Sequence, residues 1–213
     1  RALVAPGIDM FASGWLFRYL TEILDRRMLE FVTGQALASD LVPISLNLNI
    51  ASLETRGFRR FLDVHEARSS KPIIEIQLVD LLANGAVFAK IRPSLQAQGH
   101  RILVDGLTPL TLQVIDLSGL RADLVKIWWR EDAPMLFPAG RVSGLREVIT
   151  RLGRERVILA RAESELALEW GMEHGIRRFQ GRLVDRLLGA LVGRSACDPQ
   201  FEGGVGDVRA TRP

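Results

Sequence analysis

The stretch Pro72 to Gly106, PIIEIQLVDLLANGAVFAKIRPSLQAQGHRILVDG, decides the fold. Pro72 to Leu78 is a short apolar run rich in isoleucine, which reads as a strand. Val79 to Gln98 then follows a helical period and stops at Gly99, the residue type that most readily ends a helix. Arg101 to Asp105 is a second apolar run, so the stretch is strand, helix, strand. Strands apolar on both faces, joined by a helix, imply a parallel sheet covered on both sides.

The same alternation continues in both directions. Upstream, Phe11, Trp15, Tyr19, Leu20, Ile23, Leu24 and Met28 recur at helical spacing. Leu41 to Ile50 reads as a strand opened by Pro43, and Leu53 to Arg68 as a helix with Phe58, Phe61 and Leu62 on one face. Downstream, Leu110 to Leu117 is a short helix, Asp123 to Trp128 a strand and Arg130 to Gly140 a loop. Val142 to Leu152 is a helix stopped by Gly153. Arg156 to Ala160 is a strand, Ser164 to His174 a helix, and Ile176 to Gln180 the last strand. Residues 197–213 lack apolar periodicity and read as a disordered tail after one domain over residues 1–196.

Length and composition narrow the class. At 213 residues and 47% hydrophobic, the chain can bury one large core, yet it is short for eight complete strand–helix units, for which ~250 residues is typical. The expectation is α/β, a TIM-like (β/α) barrel with N-terminal strands truncated or missing, although periodicity alone leaves an open doubly wound sheet as the alternative. The chain starts at Arg1 and shows no signal peptide, which reads as a fragment of a longer protein. No apolar run reaches the ~20 residues of a membrane span, and a single cysteine, Cys197, suits a reducing cytoplasm. His65, His100 and His174 lack metal-ligand spacing and read as ordinary helix or loop residues. Net charge is +3, and the basic residues scatter along helical faces, a solvated surface rather than a DNA-binding stripe.

In a parallel barrel the C-terminal strand ends converge on one mouth, so their polar residues build one site. Those residues here are Asn47 and Asn49, Glu75, Asp105, Lys126, Glu163 and Gln180.

In order and spacing, this set resembles the EAL domains, bacterial phosphodiesterases that open cyclic di-GMP on a TIM-like barrel with divalent metals. The resemblance runs from about Phe11 to Leu188. NLNIASL is similar to the family's N-L-S strand end, which places its metal-binding asparagine at Asn47. EIQL is similar to E-L-T-E, with a metal-ligating glutamate at Glu75. ILVDGLTP follows I-A-L-D-D-F-G-T, with Asp105 at the first aspartate. ADLVKIW follows V-D-Y-L-K-I-D, with the active-site lysine at Lys126. VILARAES lies over V-I-A-E-G-V-E-T without a gap, with Glu163 at the second glutamate, and FQG supplies Gln180.

The departures from that pattern carry the functional expectation. The aspartate that binds the second metal in the family is Gly106, and the glutamate to which the family assigns water activation is Ala160. The glutamate closing E-L-T-E is Leu78, and the aspartate after the lysine is Trp128. The nearest match to Glu-Ala-Leu is Arg1-Ala2-Leu3. Two-metal hydrolysis needs carboxylates that hold both ions and acidify the attacking water. Asn47, Glu75 and Asp105 make at best a depleted site for weakly held Mg²⁺ or Mn²⁺. Loss of a general base alone costs roughly 10²–10⁴ in rate. The resemblance therefore implies an inactive member that regulates through a protein partner or other domains of its parent. A cyclic di-GMP receptor using Lys126 and Gln180 is the alternative, and a weak phosphodiesterase rebuilt around Asn49 or Glu165 a third.

The same residues carry simpler roles as well. Asp105 and Lys126 also read as an ion pair, Asn47 and Gln180 as hydrogen-bonding the backbone, Glu75 as paired with a cation, and Glu163 as a cap for the helix at Ser164. Trp128 reads either as packing or as a plug where a ligand would sit. The family's habit of pairing beside the loop after the lysine strand implies a homodimer surface at Arg130 to Gly140, around Met135, Leu136 and Phe137.

Overall fold

The computed structural model describes residues 13–34, 44–115, 119, 121–132 and 139–195, and the chain divides into two compact units, Arg1–Asp105 and Gly106–Pro213. Cys197, the tail after it, Pro43, Arg1-Ala2-Leu3 and the Met135-Leu136-Phe137 patch lie outside the described residues.

The first unit begins with helix α1 (Gly14–Gly34), followed by strand β1 (Ser45–Asn47), a 3-10 turn (Ile50–Glu54) and α2 (Arg56–Val64). Then come β2 (Ile73–Gln77), α3 (Leu78–Ala83), α4 (Gly85–Ala97) and β3 (Arg101–Leu107). The strands run parallel, with Ser45 opposite Ile73, Asn47 opposite Glu75 and Gln77 opposite Asp105. Ile74, Ile76, Ile102 and Val104 on one face are fully buried, and Glu75 and Leu103 on the other nearly so, as expected of strands covered on both sides.

Two expected elements are shorter than their sequence suggests. Of the strand expected over Leu41 to Ile50, Leu41 to Pro43 lie outside the described residues, and it ends at Asn47 because carboxylates capture the amides that a continuing strand would give to its neighbour. Asp25 on α1 accepts from Asn49 N at 2.7 Å, Asn49 Nδ2 at 2.8 Å and Ser52 Oγ at 2.7 Å. Asp80 on α3 accepts from Ile50 N at 2.6 Å. The helix expected over Val79 to Gln98 breaks at Asn84, whose Nδ2 donates to the carbonyl and carboxylate of Asp80 just before Gly85 restarts the helix. Gly99 ends α4 at φ +86°, as anticipated.

The second unit holds α5 (Thr111–Val114), β4 (Leu124–Trp128), α6 (Ala139–Leu152), β5 (Val157–Ala160), α7 (Glu165–Glu173), β6 (Arg178–Gln180) and α8 (Arg182–Ser195). Its strands are again parallel, with Trp128 opposite Ala160 and Ala160 opposite Gln180. Ile127, Ile149, Val157 and Leu159 form its core, beside a stack of Trp129, Trp170 and His174. The helix expected over Leu110 to Leu117 is described as a single turn, since Ile115 is already extended.

All three histidines are buried, with Nδ1 against a backbone carbonyl: His65 at Phe61, His100 at Pro72 and His174 at Trp170. Element order and parallel registers give the expected α/β class, a truncated TIM-like (β/α) fold with six described strands where a complete barrel has eight. No helix among the described residues is long and apolar enough to cross a membrane.

Candidate functional site

In the first unit, the period of a strand puts alternate residues on one face, and register partners share that face. Asn47, Glu75 and Leu103 therefore form one row across β1, β2 and β3, with Gln77 and Asp105 in the next row toward the strand ends. The three expected metal-ligand positions, Asn47, Glu75 and Asp105, are thus brought to one face. Glu75 stands in the middle of β2, two residues short of the end, and is buried; Asn47 is exposed.

Neutral donors serve both carboxylates. Ser45 Oγ donates to Glu75 at 2.8 Å, and Gln77 Nε2 donates to Asp105 at 2.8 Å. Neither donor stood out in the sequence, although each lies two residues from a singled-out position and so on the same face. Asn49 gives its side-chain nitrogen to Asp25, which fixes the orientation of its amide. Gly106, where the resemblance expects a second aspartate, has φ +86°, a conformation that favours glycine.

In the second unit, Trp128, Ala160 and Gln180 form one row at the C-terminal strand ends, and Lys126, Ile158 and Arg178 the row below. Lys126 is buried and Gln180 exposed. The guanidinium of Arg161 lies 3.9 Å from the ring centroid of Trp128, an aromatic–cation stack made by a residue held at φ +62°. Arg161 escaped notice in the sequence, since nothing local marks a non-glycine for a left-handed backbone.

Glu163 does not cap the next helix. Its carboxylate takes a two-pronged bond from Arg182, at 3.1 Å from Nε and 2.5 Å from Nη2, which holds it below the usual carboxylate pKa range. Ser164 is the cap instead, accepting from Ala167 N, while its own hydroxyl donates to Glu131. Glu131 also accepts from the Trp129 indole, so the loop after β4 is tied to the loop after β5. Ala162 N donates to the Gln180 carbonyl, and a Cβ at the adjacent Gly181 would lie 2.5 Å from the Ala162 oxygen. Only glycine lets those two backbones approach so closely.

No protein-family model and no curated protein matches the chain. Solved structures do. Vibrio cholerae LapD S helix-GGDEF-EAL bound to c-di-GMP superposes with a TM-score of 0.60 at 20% identity, over 85% of this chain and 47% of that one. Bacillus subtilis YkuI, with an EAL domain and in complex with substrate c-di-GMP and calcium, gives 0.58 at 16% identity, over 92% and 52%. The Xanthomonas citri FimX EAL domain in complex with c-diGMP gives 0.58 at 12% identity, over 83% and 75%. The chain thus has the fold of EAL domains, and it spans about half the length of the LapD and YkuI chains.

Proposed function

We propose that this chain is a catalytically inactive EAL-like signalling domain, a regulatory module that acts by contact with a protein partner or with other domains of its parent in the bacterial cytoplasm. The observation that carries the reading is the row Trp128, Ala160, Gln180 at the strand ends, an indole, a methyl and an amide where the resemblance expects two carboxylates and a glutamine. None of the three can activate water as a base. Gly106 supplies no second carboxylate, and in the first unit Glu75 and Asp105 already accept from Ser45 and Gln77.

The residues present do not fit a two-metal centre. Among the described residues no group of three or more His, Cys, Asp or Glu side chains is gathered to hold an ion. A loosely held Mg²⁺ or Mn²⁺ on Asn47, Glu75 and Asp105 is the most this donor set supports.

A second reading, a receptor that binds cyclic di-GMP without cleaving it, is favoured by Trp128 and Arg161, an aromatic face and a cation suited to a base and a phosphate. Incubation of purified protein with cyclic di-GMP and Mn²⁺, read by chromatography, tests the first reading. The expected result is no linear dinucleotide, and steady formation of one overturns inactivity. Calorimetry then separates the two readings: binding heat that vanishes in Lys126→Ala selects the receptor, and no heat leaves the interaction module.

A further inference from the structure

Helix α1 carries two apolar stripes, set about 100° apart around its axis. Asp25, Leu29 and Val32 are buried on one side, and the helix packs there on α2 and the 3-10 turn. About 100° around the helix from that stripe, Phe17, Leu24 and Phe31 recur every seven residues, with Leu20 and Met28 between them. Phe17 is 42% exposed, Leu24 54%, Met28 48% and Phe31 63%. Of the fourteen large apolar side chains exposed among the described residues, six are on α1, whereas no other helix has more than two. A helix in water needs one apolar stripe, and a second, concentrated stripe marks an interaction surface.

The stripe is nearly symmetric about its centre. Phe17 and Phe31 stand seven residues on either side of Leu24, and Leu20 and Met28 four on either side. An antiparallel pair with its twofold axis at Leu24 therefore sets each Phe17 near the other copy's Phe31 and each Leu20 near Met28, with Leu24 against itself. Such self-complementarity is what a twofold interface requires, and antiparallel helices also oppose their dipoles. The four exposed side chains offer on the order of 400 Å² of apolar surface per copy. With flanking Thr21 and the stem of Arg27, a pair buries roughly 1,000 Å², at the low end for a specific interface.

We propose that the outer face of α1 is a homodimer interface, in which two copies of this chain pair antiparallel through Phe17, Leu24, Met28 and Phe31. The modest area sets a concentration-dependent dimer rather than an obligate one. This inference does not depend on the signalling reading above.

Sedimentation of the full chain over a micromolar to sub-millimolar range tests it. The expected result is a monomer–dimer equilibrium whose dissociation constant rises at least tenfold in Leu24→Glu, with the thermal midpoint unchanged at concentrations where both proteins are monomeric, because Leu24 is half exposed. Val79→Glu, at an exposed apolar site on α3, leaves the equilibrium as it was. In a Cys197→Ser background, a mixture of Phe17→Cys and Phe31→Cys proteins is expected to give the mixed disulfide in preference to either self-linked dimer. A monomer at every concentration, a dimer indifferent to Leu24→Glu, or self-linked disulfides alone would each overturn the proposal. So would a protein that stays monomeric and instead binds phosphatidylcholine vesicles through this face.

Discussion

Arg161 stacks its guanidinium on the ring of Trp128 while its own backbone sits in the left-handed region. Two opposing terms meet at one residue: the stack stabilises by about 0.5–1 kcal/mol, and the backbone costs about 1–2 kcal/mol relative to glycine. Arg161→Ala loses the stack and keeps the strain, so unfolding free energy falls by about 0.5–1 kcal/mol. Arg161→Gly loses both and comes out level or slightly more stable. Urea denaturation of the two variants, followed by tryptophan fluorescence, checks the contrast.

His100 gives the fold a pH dependence. Burial holds its pKa below the ordinary 6.5, outweighing the Pro72 carbonyl that raises it, while nearby Lys71 and His65 lower it further. The unfolded chain then binds the proton first, so the contribution is complete above pH 6.5 and is lost as pH falls through the lowered folded value. The thermal midpoint is expected to drop on acidification below pH 6.5, and His100→Gln to flatten that slope. A slope unchanged in the variant would assign the effect elsewhere.

Restoring an aspartate at Gly106 is expected not to restore chemistry. At φ +86° a side chain costs about 1–2 kcal/mol, and Ala160 still supplies no base. Gly106→Asp is therefore less stable by that amount and yields no linear dinucleotide when incubated with cyclic di-GMP and Mn²⁺.

Asp25 holds three donors in a buried setting. Hydrogen bonds to a charged group are each worth about 1.5–3 kcal/mol, though not additively. Asp25→Ala is expected to lose about 3 kcal/mol of stability, whereas Asp63→Ala, on an exposed side of α2, stays within about 0.5 kcal/mol.

Much of the fold was legible because β2, β3, β4 and β5 carry short, mainly apolar runs and glycine stops stand at Gly99 and Gly153. Boundaries failed where side chains compete with backbone. Nothing in NLNIASL announces that Asp25, twenty-four residues upstream, takes the Asn49 amide. Nor does ANG, inside a strong helical period, reveal that Asn84 turns back on Asp80. At the site, the strand period was enough to place Asn47, Glu75 and Asp105 on one face, and Trp128 beside Ala160 and Gln180. It could not give Glu163 its partner, since Arg182 reaches it from another element.

The paired carboxylates of Asp25 and Asp80 grip the amides of consecutive residues, Asn49 and Ile50, from two different helices. Asn47 lies two positions upstream, the last residue of β1, so the strand's exit is pinned from two helices at once and the asparagine's place at the strand end is set by groups outside its own sheet.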